Sequence, residues 1–211
     1  MRQNPSFTLA SEDAVKRVIR ENPWATIVSR TDAGELVASH YPVLLEETDE
    51  GISLVSHVGR PDEQLHELGQ HEVLVIIQGP HGYISPSWYD AKPAVPTWNF
   101  LSVHLWGMPE ILSDEENLRV LDDLVAHFEQ KVPEPRLMNG TPENAAYAAR
   151  ISAGTVGFRL RVDRFVGKDK MSQNRPPETV ERIITELDAG SPYADPRLAD
   201  EMRRARDERT R

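Results

Sequence analysis

Cysteine is absent from the 211 residues. That removes disulfides, thiolate zinc sites, iron–sulfur clusters and thiol nucleophiles in one step. Positive charge is scarce: 24 Lys and Arg stand against 34 Asp and Glu, a formal net charge of −10. Gripping duplex nucleic acid by bulk electrostatics needs clustered cations, so direct DNA binding is not expected. Long apolar runs are missing too. The longest, Val73–Ile77, falls far short of the roughly 20 residues of a membrane helix. Met1–Ala10 holds one arginine and no apolar stretch, so no signal peptide is expected. The expectation is a soluble cytoplasmic protein without a membrane partner. Also missing are G-x-G-x-x-G, the P-loop, G-x-S-x-G and H-E-x-x-H, which leaves no protein-based catalytic motif in view. His66 and His71 lie five apart, a spacing that does not put two ligands on one helical face, so no metal site is expected.

What is present is enough for a core. Hydrophobic residues make up 39% of the chain, in Val-, Ile- and Leu-rich runs, which excludes wholesale disorder. Ser11, followed by Glu12 and Asp13, opens a helix carrying Val15, Val18 and Ile19, stopped by Asn22-Pro23. Strand patterns follow at Trp24–Arg30 and Glu35–Glu46 around the turn Thr31–Gly34. Another runs from Ile52 to Val58 after the turn Thr48–Gly51. Gln64–Gln70 reads as a short helix and Glu72–Gln78 as a central strand. Gly79–Pro96, with four prolines and two glycines, reads as ordered loop or edge structure. Trp98–Leu112 is strand-like. Ser113–Glu116 is a capping box before a stripe of Leu118, Leu121, Leu124, Val125 and Phe128. Thr141-Pro142 opens another helix, Thr155–Val166 alternates as a half-buried strand, and Glu178–Leu187 is a last amphipathic helix. The segment from Ser191 carries six arginines, five acids and few apolar residues, and reads as a solvated or partner-packed tail. The expected division is therefore 1–190 and 191–211. Some six strands with too few strand–helix–strand alternations for a parallel sheet imply a mainly β, α+β antiparallel barrel with peripheral helices.

One set of polar residues sits where strands should be apolar. Ser39-His40 interrupts the second strand, and His57 and Arg60 end the third. Thr97, Trp98 and Asn99 open the fifth strand, and His104 lies within it. Lys170, Ser172, Gln173, Asn174 and Arg175 follow the last. Cations and hydroxyls suit a phosphate dianion, amides suit polar ring edges, and aromatics suit ring faces, so the mixture fits an anionic aromatic ligand such as a flavin mononucleotide. Structural roles compete at each position: a Trp at a strand start is commonly core, and strand histidines are commonly satisfied or exposed.

Five blocks carry a resemblance. They are His57-Val-Gly-Arg60, Gly79–Tyr89 (GPHGYISPSWY), Val95-Pro-Thr-Trp-Asn99 with Val103-His104, Gly157-Phe158, and Lys170-Met-Ser-Gln-Asn174. In this order they resemble the PaiB-type FMN-binding proteins, called negative transcriptional regulators, over roughly residues 8 to 175. The resemblance implies a flavin-reductase-like split β-barrel of about six antiparallel strands, a homodimer, and FMN between subunits. It implies Arg60, Lys170 and Ser172 at the phosphate, and Thr97, Trp98, Asn99, Gln173 and Asn174 at ribityl or ring edges. His57 and His40 would lie at the cleft mouth. A flavin-dependent oxidoreductase, or a haem-binding protein on the same barrel, are the alternative readings. Catalytic residues stay unassigned.

Overall fold

In the computed structural model the described residues are 1–2, 4–47, 51–89, 93–190 and 192–210. The turn expected at Thr48–Gly51 therefore lies largely outside the described residues. Ten strands occur among them: β1 (Thr8–Leu9), β2 (Trp24–Arg30), β3 (Leu36–Pro42), β4 (Leu44–Glu46), β5 (Ser53–Gly59), β6 (Val73–Ile84), β7 (Thr97–Gly107), β8 (Pro109–Ile111), β9 (Thr155–Arg161) and β10 (Arg164–Lys170). Six α-helices accompany them: α1 (Glu12–Glu21), α2 (Arg60–His66), α3 (Asp114–Glu129), α4 (Pro142–Ser152), α5 (Pro177–Asp188) and α6 (Pro196–Thr210). One sheet has the order β1-β10-β7-β6-β2-β3 and the other β4-β5-β9-β8. All registered pairs are antiparallel. The six expected runs are spread over both sheets: Ile52–Val58 forms β5 of the smaller one, and β1 of the larger one was not expected.

Three strand-like runs that read as continuous in the sequence are each cut in two, with the halves in different sheets. The run from Glu35 breaks at Val43, whose N–H turns aside to Pro23 O at 2.8 Å. The run from Trp98 breaks at Met108, and the run from Thr155 breaks at Val162-Asp163. A strand that changes sheets at a corner keeps its apolar alternation on both sides of the bend, so periodicity does not reveal the break.

The chain divides into two compact units. The first comprises residues 1–15, 78–103 and 166–211, and the second 16–77 and 104–165. In the second, β5 is buried along almost its whole length because β4 and β9 flank it. Helix α3 has the expected capping box, with Ser113 Oγ accepting from Glu116 N at 3.2 Å and the Glu116 carboxylate accepting from Ser113 N. Its buried residues are Asn117, Val120 and Leu124, of which the expected stripe contains only Leu124. Gly157 explains the shift: a Cβ there would lie 2.9 Å from Asn117 Oδ1 and 3.0 Å from Asn117 Cα. The missing side chain lets α3 seat Asn117, whose amide donates to Thr155 Oγ1 at 3.0 Å. Helix α2 begins at Arg60, four residues before the expected Gln64, with Pro61 in its first turn and Asp62 and Glu63 behind it.

In the first unit, β6 runs on through Gly79 and Pro80 to Ile84, where loop or edge structure was expected. Its registered pairing with β2 reaches only Ala25↔Ile77, so Pro80, which has no N–H, lies past that ladder. The segment from Ser191 is not a loose tail. It contains α6, with Leu198, Ala199, Met202 and Ala205 buried, packed along α5, which buries Val180, Ile183, Ile184 and Leu187. Three small or unbranched residues on that face hid its apolar stripe among the arginines.

Candidate functional site

In the first unit, β7 opens with Thr97 and β10 closes with Lys170, and the two meet. The Lys170 ammonium donates to Thr97 Oγ1 and to the Trp98 carbonyl, the latter at 2.8 Å. Burial pushes this lysine below its ordinary value, and the positive charges of Lys168 and Arg175 push the same way. Lys168 lies over the Phe100 ring at 5.5 Å and Arg175 over the Tyr89 ring at 4.8 Å. Immediately after β10 the chain turns sharply. Ser172 takes a left-handed conformation (φ 60), which a non-glycine residue adopts only where its surroundings enforce it. Here its buried hydroxyl donates to Asn99 Oδ1 at 3.0 Å, and the buried Asn99 amide donates to Met202 Sδ at 3.4 Å. Gln173 closes the turn: its Oε1 accepts from Met171 N at 2.7 Å and its Nε2 donates to Asp169 O at 2.6 Å. Asn174 and Trp98 are exposed.

Thus Thr97, Trp98, Asn99, Lys170, Ser172 and Gln173 share one corner of the first unit. His57 and Arg60 lie in the second unit. The Arg60 Nε donates to Ala153 O at 2.6 Å, and its guanidinium lies 3.7 Å from the Glu63 carboxylate. His57 stands edge-on to Tyr41 at 5.9 Å, its Nδ1 buried with no hydrogen-bond partner among the described residues. Burial holds His57 below the usual imidazole value. Tyr41 itself donates to Asp62 Oδ2 at 2.6 Å and accepts from Gly59 N at 3.1 Å. His40 is bonded to the Thr26 hydroxyl at 3.1 Å and stacks on Trp24.

The two histidines considered as a pair separate. His66 is buried on Ser29 Oγ at 2.8 Å, whereas His71 joins Glu67 at 2.9 Å and Asp32 at 3.4 Å. Glu67 also accepts from Asp32 N, so this trio ties the β2–β3 turn to the end of α2.

Sequence reasoning missed Lys168, which the alternation of β10 places two residues before Lys170 on the same face. It also missed Tyr83, Tyr41 and Met202. Tyr83 was inside a recognised block, but nothing local marked the other two.

The chemistry of the first-unit corner fits a phosphorylated flavin: three cations, a hydroxyl and a buried amide adjoin exposed aromatic surface. Comparison with known proteins bears on the cofactor rather than on its placement. Residues 1–164 match the family model described as "Putative FMN-binding domain". The match includes His57, Arg60, Thr97, Trp98 and Asn99 but stops before Lys170. The chain is 30% identical over 183 residues to "Protease synthase and sporulation protein PAI 2" of Bacillus subtilis, covering 86% of each chain. In fold it is similar to a FAD and heme binding protein from Mycobacterium smegmatis (TM-score 0.56, 19% identity, 87% of this chain and 80% of that one). It is also similar to the flavocytochrome Anf3 from Azotobacter vinelandii (TM-score 0.55, 15% identity, 81% and 73%).

Proposed function

Because the chain belongs to the FMN-binding split-barrel family, with FMN as its cofactor, we propose that its Lys170 corner holds the cofactor's phosphate in a homodimeric flavoprotein. The observation that carries this is the clamp on Lys170. Two of its three N–H donors are fixed on Thr97 and Trp98, which leaves one N–H donor of the ammonium in a half-buried setting. A phosphate dianion there gains a charge-assisted hydrogen bond, and Lys168 and Arg175 add to the field. Ser172 and Asn99 set the turn that carries the lysine, and Trp98 supplies an exposed ring beside it. When bound, FMN supplies electron and hydride transfer, so the chain has only to bind, orient and shield it. His57 and Arg60 belong to the second unit.

An exposed aromatic supports the dimer: Trp24 on β2 keeps 62% of its surface, more than a solitary chain gains by exposing. Light scattering is expected to return twice the 23.8 kDa chain mass. Any transcriptional role runs through a partner or a metabolite rather than through a grip on DNA. The densest basic cluster is internally neutralised: Arg203 pairs with Asp188 and Asp200, Arg204 with Glu201, and Arg206 with Glu181 and Asp207. The absorption spectrum of the protein, as purified and after adding FMN or haemin, tests the reading. Flavin bands that survive gel filtration support it. A Soret band with no flavin uptake would move the assignment to haem.

A further inference from the structure

The first unit also holds a cavity built from chemistry different from that of the Lys170 corner. His81, Gly82, Tyr83, Trp98, Tyr193, Ala194 and Asp195 line an open cavity of about 370 Å³, within the size range of small-ligand sites. Its walls are aromatic. The Trp98 ring lies 6.3 Å from Tyr83 at an interplanar angle of 73°, and the Tyr193 ring lies 5.1 Å from Tyr83 at 47°. Trp98 and Tyr193 are each more than half exposed. A slot for a flat ring needs parallel walls, and neither Trp98 nor Tyr193 lies parallel to Tyr83. They form a corner that suits a compact, rounded group. The face of each ring carries the negative end of its quadrupole, which attracts a cation. The lining holds one carboxylate, Asp195, and no Lys or Arg. Asp195 Oδ1 accepts from Leu198 N at 3.1 Å at the start of α6, which fixes the carboxylate in place.

From the steep aromatic corner and the carboxylate at its rim, we infer that this cavity binds a small organic cation of the quaternary or tertiary ammonium class. The ammonium methyls meet the three rings and Asp195 supplies the counter-charge. The site shares Trp98 with the proposed phosphate corner but differs from it in chemistry, and its occupant is a free small molecule. Tyr193 and Asp195 play no part in the proposed flavin contacts, so their variants test this site without removing a flavin ligand.

The test is calorimetric titration of the full chain with choline chloride, and in parallel with 3,3-dimethylbutan-1-ol, the uncharged molecule of the same shape. Choline is expected to bind saturably and at least about tenfold more tightly than the alcohol. Tyr193→Ala and Asp195→Asn are each expected to weaken choline at least about fivefold with FMN uptake unchanged. Asparagine is itself a good N-cap, so Asp195→Asn removes the charge and keeps the start of α6. Tyr193→Phe, which retains the ring face, is expected to bind choline as the parent does. Equal affinity for choline and the alcohol would overturn the inference. So would no saturation with choline, or parental affinity in both the Tyr193→Ala and Asp195→Asn proteins. Failure of FMN uptake with choline binding intact would count against the flavin corner alone.

Discussion

Replacing Leu198 with alanine tests whether α6 is part of the folded first unit. Leu198 has no solvent exposure, and its Cδ2 lies 2.9 Å from the point where a Cβ on Gly82 would sit, so it fills the space left by that glycine. Removing three carbon groups loses about 2.4 kcal/mol at roughly 0.8 kcal/mol each. The cavity left behind brings the expected cost to about 3–5 kcal/mol. With a urea slope of about 2 kcal/mol/M, the midpoint should fall by roughly 1.5–2.5 M. The same helix presents Met202 to the Asn99 amide, and Asn99 holds Ser172, so the loss should extend to the site. The assay is urea unfolding of parent and variant followed by circular dichroism, with an FMN titration of each. A midpoint within about 0.3 M of the parent would mean that the segment is a dispensable tail and that the reasoning on α6 fails.

Lys170→Met is expected to weaken FMN by about ten- to a hundred-fold, since a bond to a charged group contributes roughly 1.5–3 kcal/mol. Riboflavin affinity should stay nearly constant, and an equal loss for both flavins would relocate the phosphate. Gly157→Ala should cost about 1–3 kcal/mol by driving a methyl against Asn117. A melting temperature lowered by about 2–10 °C would agree, and an unchanged one would refute the close approach. Stability should also decline in two stages on acidification. His57 and His66 are held below their ordinary values by burial, so as pH falls below about 6.5 the unfolded chain binds protons that the folded chain refuses. Glu46 is held below its usual value chiefly by hydrogen bonds from Arg159. Its contribution is present above about pH 4.3 and is lost as pH falls through the lower folded value. Urea midpoints from pH 8 to 3 measure both stages, and a flat profile between pH 7.5 and 5 would contradict the first.

Local chemistry was legible in the sequence wherever one residue decided it. Ser113 and Glu116 start α3, Thr141 caps α4 through Asn144 N, and Trp24–Arg30 forms β2 over its full expected span. Long-range decisions were not. Nothing near Val43 or Met108 signals that a strand changes sheets, because the alternation survives the bend. Pro80 argued against a strand, and only the ladder partner shows that β2 has already ended there. Asn117 reads as polar surface until Gly157 opposite makes room for it. Helix α6 was hidden by composition: its buried face is Leu198, Ala199, Met202 and Ala205, weakly apolar beside five arginines. At the site, the motif blocks pointed to Thr97–Asn99 and Lys170–Gln173, and the fold brings those together. The role of Gln173 in closing its own turn was not readable, because it depends on a left-handed Ser172.

The most direct measurement is a fluorescence-quenching titration of the full chain with FMN and, under the same conditions, with riboflavin. The two ligands differ only in the phosphate, which we propose the Lys170 corner receives. FMN binding tighter by at least about tenfold is the predicted result, in line with one charge-assisted hydrogen bond. Equal affinities for the two flavins would contradict the account.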